Sequence, residues 1–371
     1  MERPTIPLFK VFMAATAHNA LKTVLESGRL AAGKQVAEFE SQLAAWLGAP
    51  CTVALSDASS ALTLALYLSG VRPGDEVITS PLACSATVSP IGNLFARPIW
   101  SDINPITGMP DAVDLAGLIT EKTRAILLYH WSGDVADIGE IMSLARKRGI
   151  KVVEDASEAM GAEWCGRRLG GEADFTIYSF YATKHITTGE GAALLAADPQ
   201  MSAAARHLRR FGIDTAKFRL PNGDLNPVFD IPVVGFNFPM NEIAAALGLE
   251  QLRHIDNIVA RHRDNGKYYD ATLAGIPGLH LLKRRNDSVS GFWTYALCAE
   301  RRDSLILKLH SYGIGAQRLH LRNDGYSCFA GANRDMPGVA EFDAHNINIP
   351  CGWWVSDEER ELITECIRSG W

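Results

Sequence analysis

From Cys51 to about Ala197 the chain alternates short β-rich runs with segments of helical periodicity, an alternation that few architectures accept. A strand followed by a helix and then by another strand folds back as a right-handed crossover, so the strands lie parallel and the helices cover the sheet. The runs are Thr52 to Leu55, Glu76 to Thr79, Arg97 to Asp102, Arg124 to Tyr129, Lys151 to Glu154, Phe175 to Phe180 and Ala192 to Ala196. Between them SSALTLALYLSG, SATVSPIGNLFA, DAVDLAGLIT and DIGEIMSLARKRG carry apolar residues at helical spacing. Pro90 is expected to shorten or kink the second of these helices. The expected fold class is therefore α/β, built on a mostly parallel central sheet.

At 371 residues the chain is too long for one small core. KFRLPNGDLNPVFDIP, from Lys217 to Pro232, reads as a long irregular loop, and loops of that length are usually functional. A helix is expected over about Asn241 to His254, with a helical pattern continuing to about Leu273. Strand signals (HLLKR, FWTYALC) and helix signals (RDSLILKLHSYG, SDEERELITECIRS) follow. This pattern predicts a large domain over residues 1–250 and a smaller C-terminal α+β domain over residues 251–371.

The formal charge of −6 and the scattered basic residues argue against nucleic acid as a partner. The seven cysteines are odd in number and never spaced as CxxC, which suggests neither a disulfide framework nor a zinc site. MERPTIPLFKVFMAATAHNA has an acidic second residue and no long apolar run before Lys10, so it does not read as a signal peptide. No stretch reaches the roughly 20 apolar residues that a membrane helix needs. A reducing cytoplasm is the expected compartment.

The segment Val152 to Leu195 carries the chemistry. An apolar run delivers the acidic pair Glu154 and Asp155 to its carboxyl end, where ligands bind in an open α/β sheet. A carboxylate there suits a helix cap, a Mg²⁺ ion or a cationic cofactor nitrogen, and these few residues do not choose among them. Lys184 lies just past a second strand and is followed by Thr187, Thr188, Gly189, Glu190 and Gly191. Its aromatic, hydroxyl and glycine surroundings favour a site over a solvated face, because glycines let backbone and ligand approach closely.

The run SFYATKHITTGEGAAL has EDASEAMGAEWCGRRLGGEADF before it and VVGFNFPMNEIAAALGLEQL after it. Together they resemble the DegT/DnrJ/EryC1/StrS family of sugar aminotransferases, which share the fold type I architecture of pyridoxal-phosphate-dependent transferases. SGRLAAGKQVAEFESQLAAWLGA, VRPGDEVITSPLACSATVSPI, DINPITG and HWSGDVADI extend the likeness through nearly the whole chain.

The resemblance implies pyridoxal 5′-phosphate as cofactor, with the pyridoxamine form arising in turnover, and makes Lys184 the Schiff-base lysine. Asp155 matches the carboxylate that pairs with the protonated pyridine nitrogen and so keeps the ring an electron sink. Glu158 falls where relatives carry His, Gln or Glu near the ring's hydroxyl edge. Ser56 to Ser60 fall where relatives read S-x-G-T-A, so Ala58 replaces Gly and Ser59 replaces Thr in the phosphate-binding helix start. Ser179 matches a second phosphate hydroxyl, and Asn237 an asparagine that reaches the phosphate of the adjacent subunit. Cys84 stands where many relatives stack an aromatic residue on the pyridine ring. His320 and Arg322 are expected on the substrate side.

The implied reaction takes the amino group of L-glutamate and gives it to a nucleotide-linked keto-deoxy sugar, at C4 before C3. The implied assembly is a homodimer with shared active sites. Dehydratases of the same family carry His where this chain has Lys184, so the lysine argues for transamination. Joint retention of Asp155, Ser179 and Lys184 argues against a protein that only binds ligand.

Overall fold

The computed structural model describes residues 5–329 and 334–371. Glu2, on which part of the reading of the N-terminus rests, lies outside them. In chain order the strands are β1 (Thr52–Leu55), β2 (Glu76–Thr79), β3 (Arg97–Trp100), β4 (Thr123–Tyr129), β5 (Lys151–Asp155), β6 (Glu163–Trp164), β7 (Arg167–Arg168), β8 (Phe175–Ser179), β9 (Ala192–Ala196), β10 (Leu279–Leu281), β11 (Ser288–Val289), β12 (Tyr295–Ala299) and β13 (Asn346–Ile349). The α-helices are α1 (Ala17–Ser27), α2 (Lys34–Leu47), α3 (Ala58–Leu68), α4 (Ser85–Asn93), α5 (Ala112–Leu118), α6 (Ile138–Arg148), α7 (Pro199–Leu208), α8 (Glu242–Leu252), α9 (Ile255–Thr272), α10 (Arg302–Ser311), α11 (Pro337–His345) and α12 (Asp357–Arg368).

The large sheet runs β1-β9-β8-β5-β4-β2-β3. Its strands all point one way except β9, which pairs antiparallel with both β1 and β8. Inner strands covered on both faces have no solvent side to mark with polar residues, which is why β8 (FTIYS) and β9 (AALLA) are buried throughout. Pro98 is tolerated in β3 because that strand is the sheet's edge. Local signals then set the helix ends. Asp57 caps α3 by accepting from the Ser60 amide at 2.8 Å, and Gly149 (φ 68°) closes α6 behind three basic residues.

Pro90 does not break α4; it stays inside the helix, which ends at Asn93. A proline has no N–H for the carbonyl four residues back, and here that carbonyl, Ala86, accepts from the Ser59 hydroxyl at 3.0 Å. The FWTYALC strand begins later than expected, at Tyr295. Phe292 adopts a left-handed backbone (φ 48°), and the amides of Gly291 and Trp293 bond Gly133 and Ser132. Residues 217–232 carry no helix or strand, only an isolated bridge from Arg219 to Leu225.

Two cores hold the chain. The larger surrounds the seven-stranded sheet, and the second gathers Tyr269, Tyr295, Leu305, Ile314, Ile347 and Ile363 around the sheet β10-β12-β13. We infer from them a division near residue 250, although Ile6 packs in the second core and bridges Ile314. No helix among the described residues is long and apolar enough to cross a membrane.

One close approach tests this packing. Gly248 lets α8 lie on α2, where a Cβ would stand 2.7 Å from the fully buried ring of Phe39. Gly248→Ala would gain about 1 kcal/mol of helix propensity, but overpacking of a ring with nowhere to move costs about 1–3 kcal/mol. A lower urea midpoint than wild type is expected; a higher one would mean that the helices can separate freely.

Candidate active site

The carboxyl ends of the parallel strands bring the chemistry together. β5 ends at Asp155, β4 at Tyr129 and β8 at Ser179, with Lys184 on the turn that follows. Strand alternation separates the acidic pair. Glu154 turns to one face, where its carboxylate accepts from Thr176 at 2.7 Å and pairs with His130 at 3.3 Å. Asp155 turns to the other, where it accepts from the Thr87 hydroxyl at 2.6 Å and from the Ser157 amide at 3.0 Å. Both are buried, so a period-two pattern has sorted a structural carboxylate from a free-facing one.

Glu158 is fully buried and is the hub of the site. Its Oε2 accepts from the Ser132 amide at 2.9 Å, while its Oε1 lies 3.5 Å from Lys184 Nζ and 3.3 Å from His320 Nε2. His320 Nε2 also lies 3.0 Å from the Tyr129 hydroxyl. Burial pushes the Glu158 carboxyl up, but Lys184 and His320 outweigh it and hold the group below the usual carboxylate range. Burial first, and then the Glu158 and Asp155 charges, push the Tyr129 hydroxyl well above 10, so it stays a neutral donor.

The other expected residues are placed as follows. Ala58 and Ser59 open α3, where first-turn amides have no partner inside the helix. The Ser59 hydroxyl is turned to Ala86. Ser179 is buried, and its oxygen accepts from the Tyr181 amide at 3.2 Å. Cys84 precedes α4 and is partly buried; burial pushes its thiol up, against the Ala86 amide and Lys184. Asn237 is exposed and bridges Arg210 through its backbone. Arg322 is engaged by Asp324, at 3.0 and 2.6 Å.

Several participants were not singled out from the sequence: Thr87, Tyr129, Ser132 and Trp293. Tyr129 could have been found by the rule that drew attention to Asp155, since it too ends a strand of the sheet. Asn323 reads from the sequence as a contact for substrate hydroxyls or phosphates. It is buried and donates to the carbonyls of Pro81 and Ala83, fixing the loop that carries Cys84.

Next to Lys184, the His185 ring lies tilted against His262 with centroids 4.4 Å apart, and both rings are buried. Each donates to one carbonyl, His185 to Gly291 and His262 to Phe292. Burial takes the His262 ring from 6.5 down to about 4. Burial, then the His262 neighbour, takes His185 well below 6.5. Below pH 6.5 the unfolded chain binds protons that the folded chain refuses until about pH 4, so stability is lost as the pH falls through that window. Urea unfolding between about pH 7 and about pH 5 should show a loss of up to about 1.4 kcal/mol per pH unit for each ring. His262→Gln should flatten that slope by about half. An unchanged slope would mean that the pair is not held neutral.

With this geometry in view, similarity to known proteins is informative. The model of the DegT/DnrJ/EryC1/StrS aminotransferase family matches residues 12–368. The chain is 34% identical to the GDP-perosamine synthase of Caulobacter vibrioides over 291 residues, 76% of this chain and 75% of that one. Its fold superposes on the sugar aminotransferase CalS13 from Micromonospora echinospora with a TM-score of 0.94 and 36% identity, covering 99% of this chain and 100% of that one. A sugar aminotransferase from Streptococcus pneumoniae, Spr1654, described as putative and known in PLP and PMP forms, superposes in its PMP form with a TM-score of 0.90 at 28% identity, over 98% of each chain. Gathering a lysine and two buried carboxylates at the carboxyl edge of such a sheet, the chain belongs to the DegT/DnrJ/EryC1/StrS family and is a pyridoxal-phosphate-dependent sugar aminotransferase.

Proposed function

We propose that the chain moves an amino group from L-glutamate to the keto carbon of a nucleotide-linked keto-deoxy sugar, C4 favoured over C3, with Lys184 as the reacting amine. The observation that carries this reading is the approach of Lys184 Nζ to buried Glu158, at the edge where Asp155 also ends its strand. A GDP-linked name among the relatives supports a nucleotide-carried substrate. C4 is favoured because it is the commoner task in the family.

Asp155 supports the fit of the cofactor. Its carboxylate is buried, and the two donors that reach it, a hydroxyl and an amide, are neutral. A buried carboxylate needs a cation, and a protonated pyridine nitrogen is one. The amides of Ala58 and Ser59 at the start of α3 suit the phosphate, and the Ser179 hydroxyl would be a further donor to it. Ser59 would release Ala86 to add its own hydroxyl. Cys84 would offer the ring a small polarizable contact in place of an aromatic face.

Pyridoxal phosphate supplies an electron sink for the charge that develops when a substrate carbon loses its proton. Lys184 would move the proton between that substrate carbon and C4′ of the cofactor. Asp155 holds the ring nitrogen's proton through both halves of the reaction, and Glu158 keeps the lysine within reach. His320 and Arg322 face the sugar and its phosphates. The partner subunit's Asn237 completes the phosphate site. Exposure of Val228 (87%) and Val234 (86%) on the segment before Asn237 supports its burial against a second copy.

Lys184→Ala should abolish transamination and prevent borohydride from fixing the cofactor to the protein. Stable labelling of a different lysine in the wild type would overturn the assignment. Asp155→Asn should fold but lose several orders of magnitude in turnover; near-normal turnover would remove Asp155 from its role. Dilution should release cofactor in parallel with dimer dissociation, followed by sedimentation and absorbance. Asn237→Ala should weaken cofactor retention, and a monomer that holds the cofactor as tightly would end the shared-site reading.

A further inference from the structure

The turn that carries Lys184 is fastened from across the site. Trp293, buried at the end of the segment Ser290–Trp293, donates from its indole Nε1 to the Thr183 carbonyl at 2.7 Å. His185, on the other side of the lysine, donates to the Gly291 carbonyl at 2.9 Å. The same segment is bound on its far side, because the Gly291 amide donates to Gly133 and the Trp293 amide to Ser132, both at 2.9 Å. Ser132 in turn donates its amide to Glu158. The segment thus links the lysine turn to the carboxylate that faces the lysine.

This crossing is tight and strained. Phe292 (φ 48°) and Ser132 (φ 54°) both occupy the left-handed region without being glycine. A Cβ on Gly133 would stand 2.8 Å from the Glu158 carbonyl and from the Phe292 amide, and one on Gly291 would stand 2.8 Å from the Met160 carbonyl. Gly266 gives the Phe292 ring its room, since a Cβ there would stand 2.4 Å from that ring. Such strain persists only where the surroundings over-determine it.

At the centre, Lys184 Nζ lies 3.6 Å from the centroid of the Trp293 ring. The ring is itself fixed, stacked on Phe9 at 4.8 Å with 23° between planes. We propose that the segment Ser290–Trp293 is a strap that positions Lys184, and that the Trp293 face is the seat of the lysine's cationic head whenever its amine is not bonded to a carbonyl carbon. This rests on Lys184 being the reacting amine. A carboxylate as the lysine's sole partner would be left buried and unpaired each time the amine reacted. An aromatic face attracts the cation and needs no replacement when the cation leaves. Glu158 keeps its Ser132 and His320 contacts, so the two partners divide the work.

The test separates the ring face from the indole hydrogen bond. Cofactor-free wild type, Trp293→Phe and Trp293→Leu are mixed with pyridoxal phosphate and quenched with borohydride at intervals, and label on Lys184 is counted by peptide mass. Affinity for pyridoxine 5′-phosphate, which lacks the carbonyl, is measured in parallel. Trp293→Phe should trap within about threefold of wild type and Trp293→Leu about tenfold more slowly, with pyridoxine phosphate affinity within about threefold throughout. If Trp293→Leu does not fold, Trp293→Met, unbranched, longer and also without a ring, carries the same expectation. The strap is overturned if the ringless variant traps as fast as wild type, if the Phe and ringless variants are equally slow, or if the slowing follows lost pyridoxine phosphate affinity. Label on another lysine in the wild type would instead overturn the reading of Lys184, and the strap with it.

Discussion

The fully buried carboxylate of Glu158 is the contact on which the site depends. A charge taken out of water needs partners on every side, and here they come from separate parts of the chain: an amide at Ser132, an amine at Lys184 and an imidazole at His320. His320 lies 162 positions further along the chain, so the carboxylate ties a distant C-terminal segment to the edge of the large sheet. Removing it would leave a lysine and a histidine without their common partner. That is why a single side chain can hold a site assembled from loops after β4, β5 and β8 and from the C-terminal region.

Asp155 shows the opposite arrangement. It is as buried as Glu158, yet its protein partners are one hydroxyl and one amide. Two carboxylates three residues apart are therefore held differently: Glu158 meets an amide, an amine and an imidazole, while the hydrogen bonds that reach Asp155 come from neutral donors. Glu154 makes a third case, on the reverse face, where one oxygen accepts from Thr176 and the other lies 3.3 Å from His130 Nε2. The pleat of β5 alone separates Glu154 from Asp155.

Much of the architecture was legible because its causes are local. Each of the seven sheet strands was located to within a residue or two, since an inner parallel strand must be apolar throughout and must end where the chain turns to a helix. The break at Phe292 was not legible. FWTYALC has the residues of a strand from its first position, but the Trp293 amide, and the Gly291 amide just before the run, donate to the Ser132 and Gly133 carbonyls and claim its first part. The effect of Pro90 was only half legible: the lost N–H is a property of proline, whereas the rescue of the Ala86 carbonyl depends on Ser59, far away in sequence.

The sequence by itself determined the alternating fold, the carboxyl-edge position of Asp155 and Lys184, and, through several motifs in order, the family. These follow from periodicity, glycine and proline chemistry and short spacings, all written within some tens of residues. Only the tertiary structure decided that Glu158 would be the hub, that Tyr129 and His320 would share it, and that the Trp293 ring would lie against Lys184. Those contacts join residues more than a hundred positions apart in most cases, and no local pattern encodes which side chains will meet across a buried gap. Burial there makes polar groups find one another, and the fold fixes which ones can.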